Sequence, residues 1–202
     1  MRIAIIPARG GSSRIPRKNI KYFLGKPIIS YSIRAAIDSN LFDIVMVSTD
    51  DLEIAEISKQ YGSDVPFLRG NENSNDTATM YQVIIEVLDK YKELDIEFDE
   101  VCCILATAPF VTPERLKHGY ELFKNADSVR CEFRSGQDAG QFYFAKMKGL
   151  KKRNTIVGGK VKKYLFEDNE AHDINTMDDW EIAIKKFTHT WEDITMTSKK
   201  VN

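Results

Sequence analysis

Short apolar runs and segments with helical spacing alternate along the first 125 residues of this 202-residue chain. Apolar runs predict strands at 3–6, 43–48, 65–68 and 101–105. Apolar residues at helical spacing predict helices at 27–39, 50–61, 77–94 and 112–125. The run 101–105 is apolar throughout, as expected at the centre of a parallel sheet. The alternation therefore predicts an α/β fold with a doubly wound, mostly parallel sheet and helices on both faces.

The pattern is weaker from residue 127 onward. A strand is predicted at 140–145, a basic loop with a hairpin at 146–163, and a strand or strand end at 171–174. Thr176 and the acidic residues after it predict the start of a final helix, followed by a polar, frayed tail after Asp193. We expect a single domain over 1–202, with the irregular stretch 127–163 as a reduced insertion.

Composition excludes several classes of function. The net charge of -1 argues against general nucleic-acid binding, and no apolar run reaches the length of a membrane helix. The chain enters its first strand directly, so we expect no signal peptide. Its three cysteines lack metal-binding spacing, which suits reduced thiols. We therefore expect a cytoplasmic protein without nucleic-acid or membrane partners.

The loop after the first strand concentrates glycine, hydroxyl and positive charge. Residues 6–19 read IPARGGSSRIPRKN, and residues 1–37 contain eight Lys or Arg and no acid. Adjacent glycines let the backbone approach a ligand, and consecutive N–H groups form an anion-binding nest. Its positive charge comes from Arg9, Arg14, Arg17 and Lys18. The loop matches neither the P-loop nor the dinucleotide fingerprint, so it predicts a polyphosphate site of another kind.

Two further loops also follow predicted strands, at 48–50 and 106–109. Ligands of doubly wound sheets bind beyond the carboxyl ends of the strands. We therefore expect these loops and the opening loop to line one edge of the sheet.

These motifs together resemble the acylneuraminate cytidylyltransferase family. That family opens with IPARGGSK, a hydrophobic residue and Pro, then Lys-Asn, close to residues 6–19 here. The likeness continues in the same order over nearly the whole chain, at 47–51, 74–77, 138–143 and 173–176. The segments RIPR at 14–17, ATAPF at 106–110 and AGQFY at 139–143 are most similar to the pseudaminic acid cytidylyltransferase branch.

The resemblance implies a nucleotide-diphospho-sugar transferase-like fold and a specific reaction. The anomeric hydroxyl of a nine-carbon (nonulosonic) sugar acid attacks the α-phosphorus of CTP, giving a CMP-sugar and pyrophosphate with the help of Mg²⁺ or Mn²⁺. Relatives are dimers, so a homodimer is also implied.

By the same resemblance, residues can be assigned to roles. The catalytic residues are Arg9, Arg14, Lys18 and Asp173. The nucleotide-binding residues are Ala8, Arg9, Gly10, Gly11, Ser12, Lys18, Asn19, Arg69, Thr77, Ala78 and Thr107. Asp173 and Asn175 bind the metal, and Arg134, Gln141 and Tyr143 contact the sugar acid. Judged by spacing alone, Asp173 would be a turn or capping residue and Arg69 could equally be a surface charge.

Two positions and one region depart from the family pattern. Ser13 stands where the family has lysine, and Asn175 stands where the family has a second aspartate. The region 128–138 is shorter than in relatives, which carry a dimerisation extension there. These departures keep two alternatives open: a CTP-binding homologue with weak or no catalysis, and a nucleotidyltransferase for another acceptor such as a 3-deoxy sugar acid.

Overall fold

The computed structural model describes residues 1–198, with side chains described through residue 189. Its strands are β1 Arg2–Pro7, β2 Tyr22–Phe23, β3 Lys26–Pro27, β4 Ile44–Ser48, β5 Glu100–Ile104, β6 Ser128–Phe133, β7 Asp138–Lys146 and β8 Val161–Phe166. Its α-helices are α1 Ile29–Asp38, α2 Leu52–Gln60, α3 Met80–Lys92, α4 Pro113–Phe123, α5 Leu150–Arg153 and α6 Met177–Ser198. The polar stretch expected to fray after Asp193 is helical as far as Ser198, and 199–202 lie outside the described residues.

Six strands form one sheet in the order β4-β1-β5-β7-β6-β8, and β2 pairs with β3 in a separate hairpin. Five of the six strands are parallel to one another, and β7 runs in the opposite direction. One face is covered by α1, α2, α4 and α6, and the other by α3 and α5. The predicted α/β fold with a mostly parallel, doubly wound sheet is confirmed.

The reversal of β7 brings its first residues to the edge where the parallel strands end. Phe142 lies opposite Ile104, the last residue of β5. The start of β7, from Asp138 to Gln141, therefore lies next to the carboxyl end of β5, at the edge of the sheet where β1 and β4 also end. The apolar run predicted at the centre of the sheet is β5, which has one parallel neighbour, β1, and one antiparallel neighbour, β7.

Three local predictions were wrong: the strands at 65–68 and 171–174, and the loop with a hairpin at 146–163, which contains α5 and the first residues of β8. Residues 65–68 form no strand: the bridge between Met46 and Asp64 lies just before this segment, and Pro66 has no N–H to continue the pairing. Residues 171–174 are irregular, and β6 was not predicted at all. Arg130 and Glu132 alternate with the apolar residues of β6, and Lys163 on β8 pairs with Glu132 at 2.8 Å. The charged residues of β6 hide its strand pattern in the sequence, and this ion pair balances the charge of Glu132 in the sheet.

The connection between β6 and β7 is a tight turn. The Phe133 N–H donates to the Gln137 carbonyl at 2.8 Å, and the Gly136 N–H donates to the Phe133 carbonyl at 2.9 Å. Gly136 has φ +86°, a conformation that favours glycine. The short region 128–138 thus closes as a simple hairpin of the main sheet. The single domain over 1–202, its reduced insertion and the homodimer stay predictions.

None of the helices in the described part of the chain is both long enough and apolar enough to cross a membrane.

Candidate functional site

An open cleft of about 530 Å³ lies at the carboxyl edge of the sheet. It is formed by the loop after β1, the segment before α3 and the loop after β5. The volume is in the range of small-molecule sites. Of the residues assigned to the nucleotide, those lining the cleft are Arg9, Gly11, Ser12, Lys18, Asn19, Arg69, Ala78 and Thr107.

The opening loop is fixed by its own backbone. The Ala8 N–H donates to the Ser48 carbonyl at 2.9 Å, and the Gly10 N–H donates to Asp50 Oδ1 at 2.8 Å. A Cβ on Gly10 would lie 2.6 Å from Asp51 Oδ2, so this close approach requires glycine. Ala8 and Gly10 therefore hold the loop against the end of β4 and the segment after it, whereas Gly11 and Ser12 line the cleft.

The four cations of the loop face in different directions. Arg9 lines the cleft and pairs with Asp76, and Arg14 lines it and donates to Asn175 Oδ1 at 3.1 Å. Arg17 instead pairs with Asp51 and Glu53 at the start of α2. Of the four, Arg9, Arg14 and Lys18 therefore face the cleft, and Arg17 does not.

Lys18 is the most enclosed of these three cations. Its Nζ donates to the Ile174 carbonyl at 2.8 Å and lines the cleft. Burial lowers the pKa of the Lys18 ammonium below its usual range, while the carboxylate of Asp173 acts in the opposite direction. An ammonium group in a poorly solvated position attracts an anion more strongly than one in bulk water.

Arg69 forms the opposite wall and is buried, with 7% of its surface exposed. Its Nε donates to Ser48 Oγ at 3.0 Å, and its backbone N–H donates to the Thr49 carbonyl at 2.8 Å. Burial lowers the pKa of the Arg69 guanidinium, and the carboxylates of Asp50 and Glu86 oppose that shift. Arg69 is thus part of the cleft wall and not a surface charge.

The segment before α3 is held by side chains that sequence reasoning missed. Glu86 accepts from the Gly70 N–H and from Asn73 Nδ2, both at 2.6 Å. Asn75 Oδ1 accepts from the backbone N–H groups of Thr77 and Ala78, both at 2.9 Å. The helix α3 begins at Met80 rather than at Thr77, because Thr79 and Gln82 form a capping box there. Ala78 lines the cleft, and Thr77 lies outside its lining.

Asp173 and Asn175 lie in a neighbouring cavity of about 390 Å³, whose lining also includes Gln137 and His172. Asn175 Nδ2 donates to Asp173 Oδ2 at 2.6 Å, and its Oδ1 faces Arg14 in the cleft. The described residues contain no group of three or more His, Cys, Asp or Glu that could hold a metal. Of the two residues assigned to the metal, only Asp173 carries a negative charge.

The residues assigned to the sugar acid are separated. Gln141 is buried, donates to the Ala139 carbonyl at 2.8 Å, and has an Oε1 without a hydrogen-bond partner. Tyr143 donates to Asp138 Oδ1 at 2.6 Å and borders a cavity of about 310 Å³, which also includes Met80 of the cleft. Arg134 pairs with Glu167 at the β6–β7 turn, outside the linings of these cavities.

The turn that carries Asn175 is anchored by Asp179 in the first turn of α6. Asp179 Oδ2 accepts from the N–H groups of Asn175 at 3.0 Å and Thr176 at 2.7 Å, and the Asp179 N–H donates to Thr176 Oγ1 at 3.2 Å. Burial alone would raise the pKa of Asp179, but the hydrogen bonds from Thr176 and Asn175 outweigh it and lower the pKa to about 2. The predicted helix start at Thr176 is confirmed as this capping arrangement.

Replacing Asp179 with alanine is expected to lower the free energy of unfolding by about 1 kcal/mol at pH 7. The pKa of Asp179 is lower in the folded protein than its ordinary value of 3.8, so the contribution is complete above pH 4 and is lost as the pH falls toward 2. Urea unfolding at both pH values measures this difference. Asp178→Ala, an exposed neighbour, is the matched control. A deficit in Asp179→Ala that is equally large near pH 2 would contradict the assignment.

Comparison with solved structures identifies the fold. A structure of CMP:2-keto-3-deoxy-manno-octonic acid synthetase complexed with CTP has a TM-score of 0.71 at 14% identity, covering 94% of this chain and 99% of that chain. A cytidylyltransferase from Leptospira borgpetersenii has a TM-score of 0.68 at 20% identity, covering 89% of this chain and 83% of that chain. At these identities the likeness establishes a nucleotidyltransferase-like fold and nothing finer.

Sequence comparison is more specific. A model of the family described as cytidylyltransferase matches residues 3–152. Pseudaminic acid cytidylyltransferase of Campylobacter jejuni is 36% identical over 220 aligned positions, which cover 90% of this chain and 94% of the relative. The protein belongs to the cytidylyltransferase family, and the resemblance inferred from its motifs is confirmed.

Other relatives carry different sugar-acid names. CMP-N,N'-diacetyllegionaminic acid synthase of Legionella pneumophila is 42% identical over 122 residues, covering 60% of this chain and 53% of the relative. N-acylneuraminate cytidylyltransferase A of Danio rerio is 35% identical over 217, covering 89% of this chain and 49% of the relative. The alignment to the Campylobacter protein is longer than the 202 residues of this chain, so part of that relative has no counterpart here.

Proposed function

We propose that this cytidylyltransferase transfers CMP from CTP to a nonulosonic acid of the pseudaminic type and releases pyrophosphate. The observation that carries the proposal is the cleft itself, where Arg14 and Lys18 of the opening loop both reach the segment of Asp173 and Asn175. The names of the relatives support the acceptor class, because they refer to pseudaminic, legionaminic and acylneuraminic acids.

The opening loop is the part of the cleft suited to the triphosphate. Gly11 and Ser12 offer backbone and hydroxyl donors, and Arg9, Arg14 and Lys18 offer three cations around them. Donors that are fixed before the reaction stabilise charge as it develops on the phosphates and on the leaving pyrophosphate. Because Lys18 is already desolvated and held by the Ile174 carbonyl, its side chain needs little rearrangement when the phosphates bind.

The opposite wall is suited to the nucleoside. This part of the cleft is lined by Arg69, Asn73, Ala78 and Thr107. Three of them carry polar side chains, and the small Ala78 lets a ligand come close to the backbone. Arg69 and Asn73 are held in place by Ser48 and Glu86, so their orientation does not depend on the ligand. We assign this wall to recognition of cytidine.

The residues present fit a single divalent ion, Mg²⁺ or Mn²⁺, next to Asp173. Mg²⁺ is commonly held by one or two carboxylates and completes its shell with phosphate oxygens and water. Gly140 leaves room for such a shell, because a Cβ at that position would lie 2.8 Å from Asp173 Oδ1. When bound, the ion would neutralise charge on the phosphoryl oxygens.

The acceptor would lie at the start of β7. Gln141 has a buried oxygen without a partner, and Tyr143 and Asp138 border a cavity that adjoins the cleft through Met80. These positions can orient the anomeric hydroxyl toward the α-phosphorus, which is the positioning that phosphoryl transfer needs. Arg134 could contact the acceptor only after leaving Glu167. The proposal also places the protein in the cytoplasm, where CTP is available.

A pyrophosphate-release screen tests this proposal. The purified chain is incubated with Mg²⁺, each of the four nucleoside triphosphates and a panel of sugar acids. We expect release with CTP and pseudaminic acid that is at least tenfold faster than with any other triphosphate. Release with a 3-deoxy sugar acid but with no nonulosonic acid would contradict the proposed acceptor and would favour a 3-deoxy sugar acid instead. CTP binding without any release would favour the non-catalytic alternative and would contradict the proposal.

A further inference from the structure

Three side chains form a hydrogen-bonded chain between the opening loop and the segment after β8. Arg14 Nη2 donates to Asn175 Oδ1 at 3.1 Å, and Asn175 Nδ2 donates to Asp173 Oδ2 at 2.6 Å. We propose that Asn175 is a positioning residue that aims Arg14 at the phosphates of the nucleotide, and that it is not a metal ligand. This inference rests on the proposed function and concerns the same cleft.

The contacts leave only one orientation for the Asn175 amide. Its NH₂ group faces a carboxylate, and its oxygen faces a guanidinium, so both halves of the amide are matched. Turning the amide over would place its oxygen against the Asp173 carboxylate and its NH₂ against Arg14. The backbone N–H of Asn175 is also fixed, by Asp179 at 3.0 Å. The oxygen of Asn175 is therefore committed to Arg14.

The charges around Asn175 also argue against a metal ion at its oxygen. A cation bound at Asn175 Oδ1 would lie next to the permanent positive charge of Arg14, which opposes its binding. With aspartate at this position, two carboxylates would lie as close as 2.6 Å and would need a proton or a cation between them. The neutral amide removes that need and joins Asp173 to Arg14 directly. This leaves Asp173 as the carboxylate that would hold a single ion.

Positioning matters for Arg14 because the side chain is long and exposed on a loop. The hydrogen bond to Asn175 restricts the guanidinium to one part of the cleft, beside Lys18. Lys18 is held by the neighbouring Ile174 carbonyl. Residues 173–175 thus set the positions of two of the loop's cations, which reduces the entropy lost when an anion binds.

Calorimetry with CTP and with CMP, each in the presence of Mg²⁺ and without a sugar acid, tests the positioning role. We expect Arg14→Met and Asn175→Ala each to weaken CTP binding about tenfold, the typical worth of one hydrogen bond to a charged group. The double variant should bind CTP no more weakly than Arg14→Met, because both changes remove the same contact. CMP, which lacks the outer phosphates, should bind all variants within about twofold. Arg17→Met, an arginine of the same loop that faces away, is the matched control.

Electron paramagnetic resonance with Mn²⁺ alone tests the second half of the inference. Asn175→Ala should bind Mn²⁺ as the wild type does, Asp173→Asn should lose binding, and Asn175→Asp should bind more tightly. Loss of Mn²⁺ binding in Asn175→Ala would overturn the inference. If the wild type binds CTP and Asn175→Ala binds it equally well, the positioning role alone would be overturned. A wild-type chain that does not bind CTP would overturn the proposed function along with it.

Discussion

Replacing Lys18 with methionine is expected to lower kcat/KM by about 100- to 1000-fold, the usual cost of removing one preorganised donor to developing charge. Among the cleft-facing cations of the opening loop Lys18 is the most enclosed, and its ammonium donates to the Ile174 carbonyl next to Asp173. Methionine has a similar length and removes the charge with little change in volume. Steady-state pyrophosphate release measures the effect.

Two further measurements separate a loss of function from a loss of folding. The Tm of Lys18→Met should stay close to that of the wild type, because burial of the ammonium already opposes its charged form. Lys26→Met, at an exposed position of the β2–β3 hairpin, is the matched control and should keep full activity. Activity of Lys18→Met within about fivefold of the wild type would contradict a role at the phosphates.

Replacing Asp173 with asparagine is expected to lower kcat by about 100-fold or more, because Asp173 is the carboxylate that we propose would hold the ion. The fold should be kept, since the new side chain can still accept from Asn175 Nδ2 in place of Asp173 Oδ2. Pyrophosphate release over a series of Mg²⁺ concentrations measures the loss, which high Mg²⁺ should restore only in part.

A control for this second change is available in the same cavity. Asp168 is exposed on its rim, and Asp168→Asn removes the same charge without touching Asp173. It should leave the dependence on Mg²⁺ unchanged. Equal losses in the two variants would indicate a general effect of negative charge and would contradict a specific role for Asp173.

Much of the fold followed from local patterns in the sequence. The alternation of strands and helices, the apolar run of β5 and the Thr112-Pro113 helix start each depend on residues close together in the chain. The direction of β7 did not follow from them. It depends on the turn between Phe133 and Gln137, where the strand reverses within a few residues, and on pairing with β5 about forty positions away.

The candidate site divides in the same way. The place of the opening loop at the cleft could be predicted from its glycines and cations, because these residues lie close together in the chain. The residues that orient this loop and the facing wall could not be predicted from the sequence. Asp50 supports Gly10, Glu86 supports Asn73, and Asn175 contacts Arg14 across separations of 40, 13 and 161 residues. None of these three residues carries a local signal for such a contact.

The most direct test of the central claim is to quantify both products from CTP, Mg²⁺ and pseudaminic acid in one reaction. Mass spectrometry measures the CMP-linked acid, and a coupled assay measures pyrophosphate. We predict equal amounts of the two, absent when CTP is replaced by another triphosphate. Pyrophosphate without a CMP-linked acid, or no turnover with any nonulosonic acid, would contradict the account.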